Sequence, residues 1–295
     1  MRLFTLQTFD ACERRVDRAF RLKTVSEKQR SDEVNTKLLA VPVILMILCV
    51  PVFAGGDFDD FKGTEGVSKG NNSKTYVFAT DATWPPMEFV DEEGNIAGFD
   101  MELLDAIAQA SGFQYKIKNT SWDGIFSGLA KGAYDAVISS VTITEGRLAT
   151  MDFSMPYVNA GQILVVPIDY TGGEKLQNFG GKRVGVQRGT TGDFAVEAVP
   201  SVDRRAYIDV ELAIEDMIIG NLEAVVCDTV TAISYVTAYE VFKGKLKVLG
   251  EPFTEEYFGI AVQKGNTELL ALINDGLAAV VADGTQAQLT KKWLR

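Results

Sequence analysis

The chain contains no histidine among its 295 residues. That absence excludes Ser-His-Asp and Cys-His nucleophile systems and every histidine-ligated metal site. Cysteine is nearly as scarce. Cys12, Cys49 and Cys227 lie far apart and form no CxxC pair, so neither a zinc site nor a dithiol redox motif is supported. Basic residues are outnumbered, 29 Lys and Arg against 40 Asp and Glu, for a formal net charge of −11. A nucleic-acid partner needs a basic surface, and this balance argues against one. What the chain does have is apolar mass, 46% of its residues, enough to bury the cores of one or two domains.

That apolar mass begins abruptly. The first 37 residues are polar; then "LLAVPVILMILCVPVFA" (38–54) runs without a charge. At 17 residues, interrupted by Pro42 and Pro51, it is short for a membrane span of about 20. Lys37 before it and Val52, Phe53 and Ala54 ahead of Gly55 read as a secretory signal with a small-residue cleavage site. The polar leader is long for such a signal, which points to a translation start further down or, failing that, to a retained anchor. Cleavage after Ala54 would remove nine basic and six acidic residues, taking the net charge to −14 and leaving Cys227 as the sole thiol. The next stretch, "GGDFDDFKGTEGVSKGNNSK" (55–74), has no apolar period and reads as a flexible tether.

From Tyr76 strands and helices alternate. "TYVFAT" (75–80) is strand-like, and "DMELLDAIAQASG" places Met101, Leu104, Ile107 and Ala108 at helical spacing before Gly112. "FQYKIK", the helical "WDGIFSGLAKG" and the strand "DAVIS" follow. A second series runs through strand "KRVGV", a helix near Phe194, strand "RRAYI", helix "VELAIEDMIIG", strand "EAVVC" and helix "TVTAISYVTAYEVF". Two βαβα series predict two α/β lobes, each a mixed, mostly parallel sheet flanked by helices. The last stretch, "DGTQAQLTKKWLR", predicts a closing helix whose Lys291, Lys292 and Arg295 suit its C-terminal dipole.

In open α/β sheets ligands sit beyond the C-terminal ends of strands, and three unusual clusters fall at such ends. Asp81 and Trp84 follow the first strand in "ATDATWPPMEF"; a plain Asx-turn with packed prolines would also explain them. In "ISSVTITEGR" (138–147) the hydroxyls of Ser139, Ser140 and Thr142 gather where an apolar strand ends, with Arg147 five residues on. Thr144 reads as the cap of a helix begun by Glu145, which leaves Arg147 unexplained. "GVQRGTTGDF" (185–194) places free backbone amides at a helix start, an anion site that lacks the lysine and spacing of a nucleotide loop. Cys227, in a strand, reads as a buried small apolar residue.

Over residues 76–295 the chain resembles the polar amino-acid-binding proteins of ABC importers, the extracytoplasmic solute-binding proteins of the glutamine, arginine and lysine/arginine/ornithine type. The resemblance rests on "ATD…PPMEF", "GFDMELLDAIA", "WDGIFSGLAKGAYDAVISSVTITEGR…MDFSMPY", "VGVQRGTTG" and "YFGIAV", in that order. It implies a two-lobed periplasmic-binding-protein fold of type II closing on a free amino acid. The first lobe would comprise residues 75–158 and 258–295, the second 159–257, joined by two strands near 157–161 and 256–259. By the same resemblance Arg147 holds the ligand α-carboxylate, helped by the backbone N–H groups of Thr142 and Thr191. Asp228 binds the α-ammonium with the Thr142 hydroxyl and the Ser140 carbonyl. Asp81, Trp84, Trp122, Ser139 and Gln187 line the side-chain pocket. The implied partners are the amino acid and a membrane permease; the protein would be monomeric, outside the cytoplasm, and without cofactor or metal.

The residue chemistry agrees with that allocation. A planar guanidinium offers a carboxylate two parallel donors, which lysine cannot copy. Trp84 and Trp122 suit a long cationic side chain, since Trp is the strongest cation–π partner, and Asp81 could bind its distal charge. Arginine is therefore favoured, with lysine or ornithine behind it and glutamine as the alternative; Asp81 would repel an acidic ligand. Two other classes stay open: a dehydratase-like enzyme on the same scaffold, and a sensor domain acting through another protein.

Overall fold

The computed structural model describes residues 65–66 and 74–294. The leader, the apolar segment 38–54, Cys12 and Cys49 lie outside the described residues. Among those described, no helix is long and apolar enough to cross a membrane.

The first series runs β1 (Glu65–Gly66), β2 (Thr75–Thr80), β3 (Thr83–Trp84), β4 (Glu88–Val90), β5 (Ile96–Ala97) and helix α1 (Phe99–Ser111). It continues with β6 (Gln114–Asn119), α2 (Trp122–Ala130), β7 (Ala136–Val137), α3 (Glu145–Leu148) and β8 (Met151–Phe153). After β9 (Val158–Asn159) the second series comprises β10 (Gln162–Pro167), β11 (Arg183–Gln187), α4 (Thr191–Glu197) and β12 (Asp203–Tyr207). Then follow α5 (Val210–Ile218), β13 (Ala224–Asp228), α6 (Thr229–Thr237) and β14 (Leu246–Leu249). The chain ends with β15 (Tyr257–Phe258), β16 (Ala261–Gln263), α7 (Thr267–Ala282) and α8 (Thr285–Trp293).

Two main sheets result. One has the order β1-β6-β2-β7-β16-β8, the other β12-β11-β13-β10-β14. In the first, β2 lies between β6 and β7 and runs parallel to both. In the second, β11 lies likewise between β12 and β13. In each sheet one strand, β2 or β11, thus has a parallel neighbour on either side, which opens a crevice at its C-terminal end. The chain passes from one sheet to the other through β9 and returns through β15, and these two strands pair antiparallel.

The apolar pattern explains the layers. Phe99, Leu103, Leu104 and Ile107 bury one face of α1 against α7, whose Leu269, Ile273, Leu277 and Val280 recur at helical spacing. Ile125 and Leu129 of α2 cover the other face of the sheet with Ala79, Val137 and Val141. In the second sheet, Leu164, Val166, Val184, Val186 and Val226 pack on Phe179 and Val196. Val210, Ile214 and Tyr235 cover its opposite face. β13, "AVVCD", is buried at every position, as a central strand should be, and Cys227 is a free thiol inside it.

Several sequence expectations change. The tether is not featureless, since Glu65 and Gly66 pair antiparallel with Lys116 and Tyr115 of β6. The strand expected from "DAVIS" is only two residues long, because the chain leaves the sheet at Ile138 to build the Ser139–Ser140 turn. The helix expected from "TVTAISYVTAYEVF" stops at Thr237, and Tyr239 and Phe242 pack back on Tyr235 from the following turn. Strand β10 and helix α7, both long, were not anticipated.

Gly276 marks the tightest contact between α1 and α7: a Cβ there would sit 2.5 Å from Ser111 Oγ and 2.6 Å from the Ile107 carbonyl oxygen. Gly276→Ala removes a helix-interior glycine, an intrinsic gain of about 1 kcal/mol. Forcing a methyl group against fixed backbone costs about 1–3 kcal/mol. The clash is expected to win, lowering the urea midpoint in an equilibrium unfolding experiment; a raised midpoint would show that the two helices have room to spare.

Candidate functional site

Both crevices face the same space. A cavity of about 320 Å³, counted out to its mouth, is lined by Asp81, Trp84, Glu88, Trp122, Ser139, Ser140, Thr142, Arg147, Gln187, Thr190, Thr191 and Asp228. All ten residues singled out from the sequence are in this set, with Glu88 and Thr190 added.

Asp81 follows β2 directly. Its backbone N–H donates to Ser139 Oγ (2.9 Å), and its carboxylate accepts from Thr83 Oγ (3.0 Å) and from the Trp122 backbone N–H at the start of α2 (3.0 Å). The turn is not the expected Asx-turn, since the Thr83 backbone N–H goes to the Asp81 carbonyl oxygen (2.7 Å) and only the Thr83 hydroxyl to the carboxylate, which lies on the cavity wall. Burial raises the Asp81 pKa, opposed by those donors. From the facing sheet, Gln187 at the end of β11 donates its amide N–H to Asp81 Oδ2 at 3.3 Å. The amide oxygen of Gln187 is buried without a partner.

The Ser139–Thr142 turn is held from behind by two acids. Ser139 Oγ donates to Glu88 Oε1 (3.0 Å), Ser140 Oγ to Glu88 Oε2 (3.3 Å), and the Ser140 backbone N–H to Asp100 Oδ2 (3.0 Å). Tyr157 donates to the same Asp100 oxygen (2.9 Å). Ser140 has φ of 49°, the only non-glycine residue at positive φ among the described residues. That conformation costs about 1–3 kcal/mol and persists only where the surroundings over-determine it. Glu88 and Asp100 are both fully buried. Burial, followed by the neighbouring Asp100 charge, pushes Glu88 far above the usual carboxylate range, while burial lifts Asp100 to about 6. A proton kept on Glu88 supplies the donor that Asp100 Oδ1 otherwise lacks.

Arg147 is set by the helix cap: Thr144 Oγ accepts from the Arg147 backbone N–H at 3.2 Å, as the sequence suggested. Its guanidinium donates to the Thr142 carbonyl (2.9 Å) and, across the cleft, to the Gly189 carbonyl (3.4 Å). It lies over the rings of Trp122 (5.3 Å) and Phe126 (4.9 Å). Burial lowers its pKa to about 10, partly offset by Asp228 and Glu256, so it stays charged at neutral pH.

Asp228 closes β13 on the opposite side. Burial lifts its pKa to about 8, and repulsion from Glu256 adds to that; Gln162, Arg147 and Trp84 work against the rise. Gln162 Nε2 donates to Asp228 Oδ1 at 2.8 Å. The Trp84 indole N–H faces Asp228 and favours its charged form, but its geometry falls short of a full hydrogen bond. Glu256 Oε2 accepts from Thr191 Oγ (2.6 Å), Thr142 Oγ (3.1 Å) and Gln162 Nε2 (3.3 Å).

Sequence reasoning missed Glu88, Phe126, Gln162, Thr190 and Glu256. Glu88 stood inside the quoted "PPMEF", and Phe126 is one helical turn beyond Trp122. Gln162 starts an antiparallel strand opposite Asp228, so a search of strand C-terminal ends passes over it. Among the described residues no group of three or more carboxylates and thiols could hold a metal ion.

Comparison with known proteins supplies the lineage. The chain is 35% identical to a probable histidine-binding protein of Neisseria gonorrhoeae, over 76% of this chain and 84% of that one. It is 31% identical to the L-cystine-binding protein TcyJ of Escherichia coli K12, over 85% and 94%. Among solved structures, an ancestral arginine-binding protein matches with a TM-score of 0.71 and 38% identity. Its arginine-bound form covers 75% of this chain and 98% of that one, and its glutamine-bound form covers 76% and 99%. These structural relatives share the two-lobed architecture at high similarity. The family model for bacterial extracellular solute-binding proteins, family 3, matches residues 76–295, and the chain belongs to that family.

Proposed function

We propose that this protein captures a free cationic amino acid, arginine foremost, by closing its two lobes over it, and delivers it to an ABC-importer permease. The observation that carries this reading is that Arg147 and Asp228, borne by different sheets, line one cavity. A zwitterion needs a fixed cation and a fixed anion a few ångströms apart. Arg147 would take the α-carboxylate, exchanging its contacts to carbonyl oxygens for charge-assisted bonds, with help from the backbone N–H groups of Thr142 and Thr191. As the first residue of α4, Thr191 has a backbone N–H with no intrahelical partner. Asp228, the Thr142 hydroxyl and the Ser140 carbonyl would take the α-ammonium.

The side-chain end of the cavity presents acceptors. Asp81 brings a carboxylate and Gln187 an unpartnered carbonyl oxygen, while Trp84 and Trp122 supply aromatic walls. A guanidinium, with five N–H donors, satisfies that set better than an amide, with two. Charge points the same way. Asp81 and Asp228, once ionised, outnumber Arg147 on the cavity wall, and a cationic ligand offsets that negative excess better than a neutral zwitterion does. Glutamine is the second reading, because the same acceptors fit its amide.

In this reading residues 75–158 and 258–295 form one lobe and 159–257 the other, with β9 and β15 as the hinge. Segment 38–54 directs export and is removed or stays as an anchor. The protein works as a monomeric binding protein and not as an enzyme.

Titration with the twenty free amino acids is expected to give saturable heat with arginine, without turnover. Four or five charge-assisted bonds at roughly 1.5–3 kcal/mol each, less the cost of ligand ordering, allow a Kd near or below ~1 μM. No heat with any of them, together with conversion of a cyclic acid, would make the protein an enzyme. Arg147→Ala is expected to weaken every amino-acid ligand by more than about tenfold, a loss of at least ~1.4 kcal/mol; unchanged affinity would remove it from the site. Asp81→Asn is expected to lower affinity for arginine more than for glutamine; equal losses would contradict its side-chain role. Asp228 also gives a pH signature, since its carboxyl is held at about 8 in the empty site and the ammonium needs it ionised. Between pH 6 and 8 binding is expected to release a proton, so affinity should rise with pH, by at most about tenfold per unit. Calorimetry in buffers of different ionisation enthalpy checks this; a flat affinity and a buffer-independent heat would contradict it.

A further inference from the structure

Glu256 does not line the cavity, yet it bonds two residues that do, Thr142 and Thr191, one from each side of the cleft. It precedes β15 at the return crossing, and its backbone carbonyl accepts from the Ala160 N–H (2.9 Å), which ties it to the outgoing crossing. One oxygen, Oε1, accepts from Thr254 Oγ at 2.8 Å. The other, Oε2, accepts from the hydroxyls of Thr142, just after β7 of the first sheet, and Thr191, which opens α4 beside the second, and from the Gln162 amide. A single carboxylate therefore holds groups from both lobes behind the cavity wall.

The direction of these bonds matters. A hydroxyl has one proton and two lone pairs. Thr142 and Thr191 approach each other at 3.3 Å, and either could donate to the other. An ionised carboxylate at 3.1 and 2.6 Å is the stronger acceptor and takes both protons. Gln162 Nε2 confirms the sense at Thr191, since it donates to that hydroxyl oxygen at 3.1 Å. With their protons turned back toward Glu256, the two hydroxyls present lone pairs to the cavity. Gln162 extends the same arrangement to Asp228: the two protons of its amide nitrogen go to Asp228 Oδ1 (2.8 Å) and Thr191 Oγ (3.1 Å), with Glu256 Oε2 as a longer neighbour at 3.3 Å.

We infer that Glu256 is a positioning and specificity-determining residue that fastens the two lobes together and polarises Thr142 and Thr191 so that the site accepts an α-ammonium group. This rests on the amino-acid-binding reading above. It adds that discrimination for the ammonium does not belong to Asp228 alone; it is shared with a carboxylate on the hinge that never meets the ligand.

The test compares L-arginine with 5-guanidinopentanoate, its counterpart without the α-amino group, on the full chain and on Glu256→Gln, by calorimetry. Glutamine and glutaramate replace them if glutamine is the ligand. The substitution is isosteric and removes only the charge. The expected result is a loss of about tenfold or more for the amino acid and of less than about threefold for the deaminated analogue. Thr191→Val, which keeps the backbone N–H, is expected to weaken the amino acid by itself and to shrink the effect of Glu256→Gln when the two are combined. It also serves as the readout if Glu256→Gln does not fold. Equal losses for both ligands, or additive effects of the two substitutions, would reduce Glu256 to a structural residue and overturn the inference. Wild-type binding with unchanged affinity in Glu256→Gln would sink the inference alone. A wild-type protein that binds none of the twenty amino acids would sink the parent reading, and this one with it.

Discussion

The architecture turns on two opposite charges held out of water on either side of one cleft. Burying a guanidinium or a carboxylate is expensive unless it is paired. Here the expense is visible in both directions: Arg147 is drawn down to about 10 and Asp228 up to about 8. The site is satisfied provisionally. Arg147 leans on two backbone carbonyls and two aromatic rings, and Asp228 on a glutamine amide. Neutral oxygens are weaker partners for a guanidinium than a carboxylate is. A small zwitterion would supply the strong partner on each side at once, and only with the lobes together. Recognition and closure thereby become the same event.

The fold makes that arrangement available with simple means. In each sheet one strand is flanked on both sides by parallel neighbours, so a crevice opens beside β2 in one case and β11 in the other. The crossing strands β9 and β15 pair with each other, which keeps the two crevices facing while leaving only a narrow connection between the sheets. Polar contacts across the cleft include Thr142 with Thr191, Gln187 to Asp81, Arg147 to the Gly189 carbonyl, and Arg188 to Asp123. The last is exposed, and exposed ion pairs contribute little. Apolar contact adds to that set, since Trp84 of β3 belongs to the same buried cluster as Val210 and Ala213 of α5, so a ligand bridging the lobes works alongside it in the balance between open and closed.

Much of this was legible before any coordinates. The rhythm of apolar strands and amphipathic helices marked two lobes, and polar clusters at strand ends marked the cavity, because parallel strands deliver whatever follows them to one edge of the sheet. What stayed hidden has physical reasons. Gln162 enters at the beginning of an antiparallel strand, where the strand-end rule does not look. Glu256 opens the crossing expected near 256–259, but only the return of the chain to β15 brings its carboxylate to Thr142 and Thr191. β1 is joined to β6 by backbone pairing inside a glycine-rich stretch, so no side-chain pattern announces it. Helix α7 was different: Asn266 caps it, and Leu269, Ile273, Leu277 and Val280 recur at helical spacing, so the signal was present and went unread.

The buried acids Glu88 and Asp100 show why the hydroxyl-rich turn can be trusted to stay in place. Ser140 sits at a φ that most side chains avoid, and its carbonyl is the group assigned to the ligand ammonium. If nothing opposed relaxation, the peptide could swing that carbonyl away. Asp100 pins the Ser140 N–H, Glu88 holds both serine hydroxyls, and Tyr157, next to the outgoing crossing strand β9, locks Asp100. Two carboxyls that share one proton can hold four donors without the repulsion of two full charges. The strain at Ser140 is therefore sustained by a network whose far end is beside the hinge. Movement of β9 during opening would reach Ser140 through only two side chains, Tyr157 and Asp100. In the proposed function, the ammonium subsite and the hinge would thus be linked on this side by Tyr157, as on the other by Glu256.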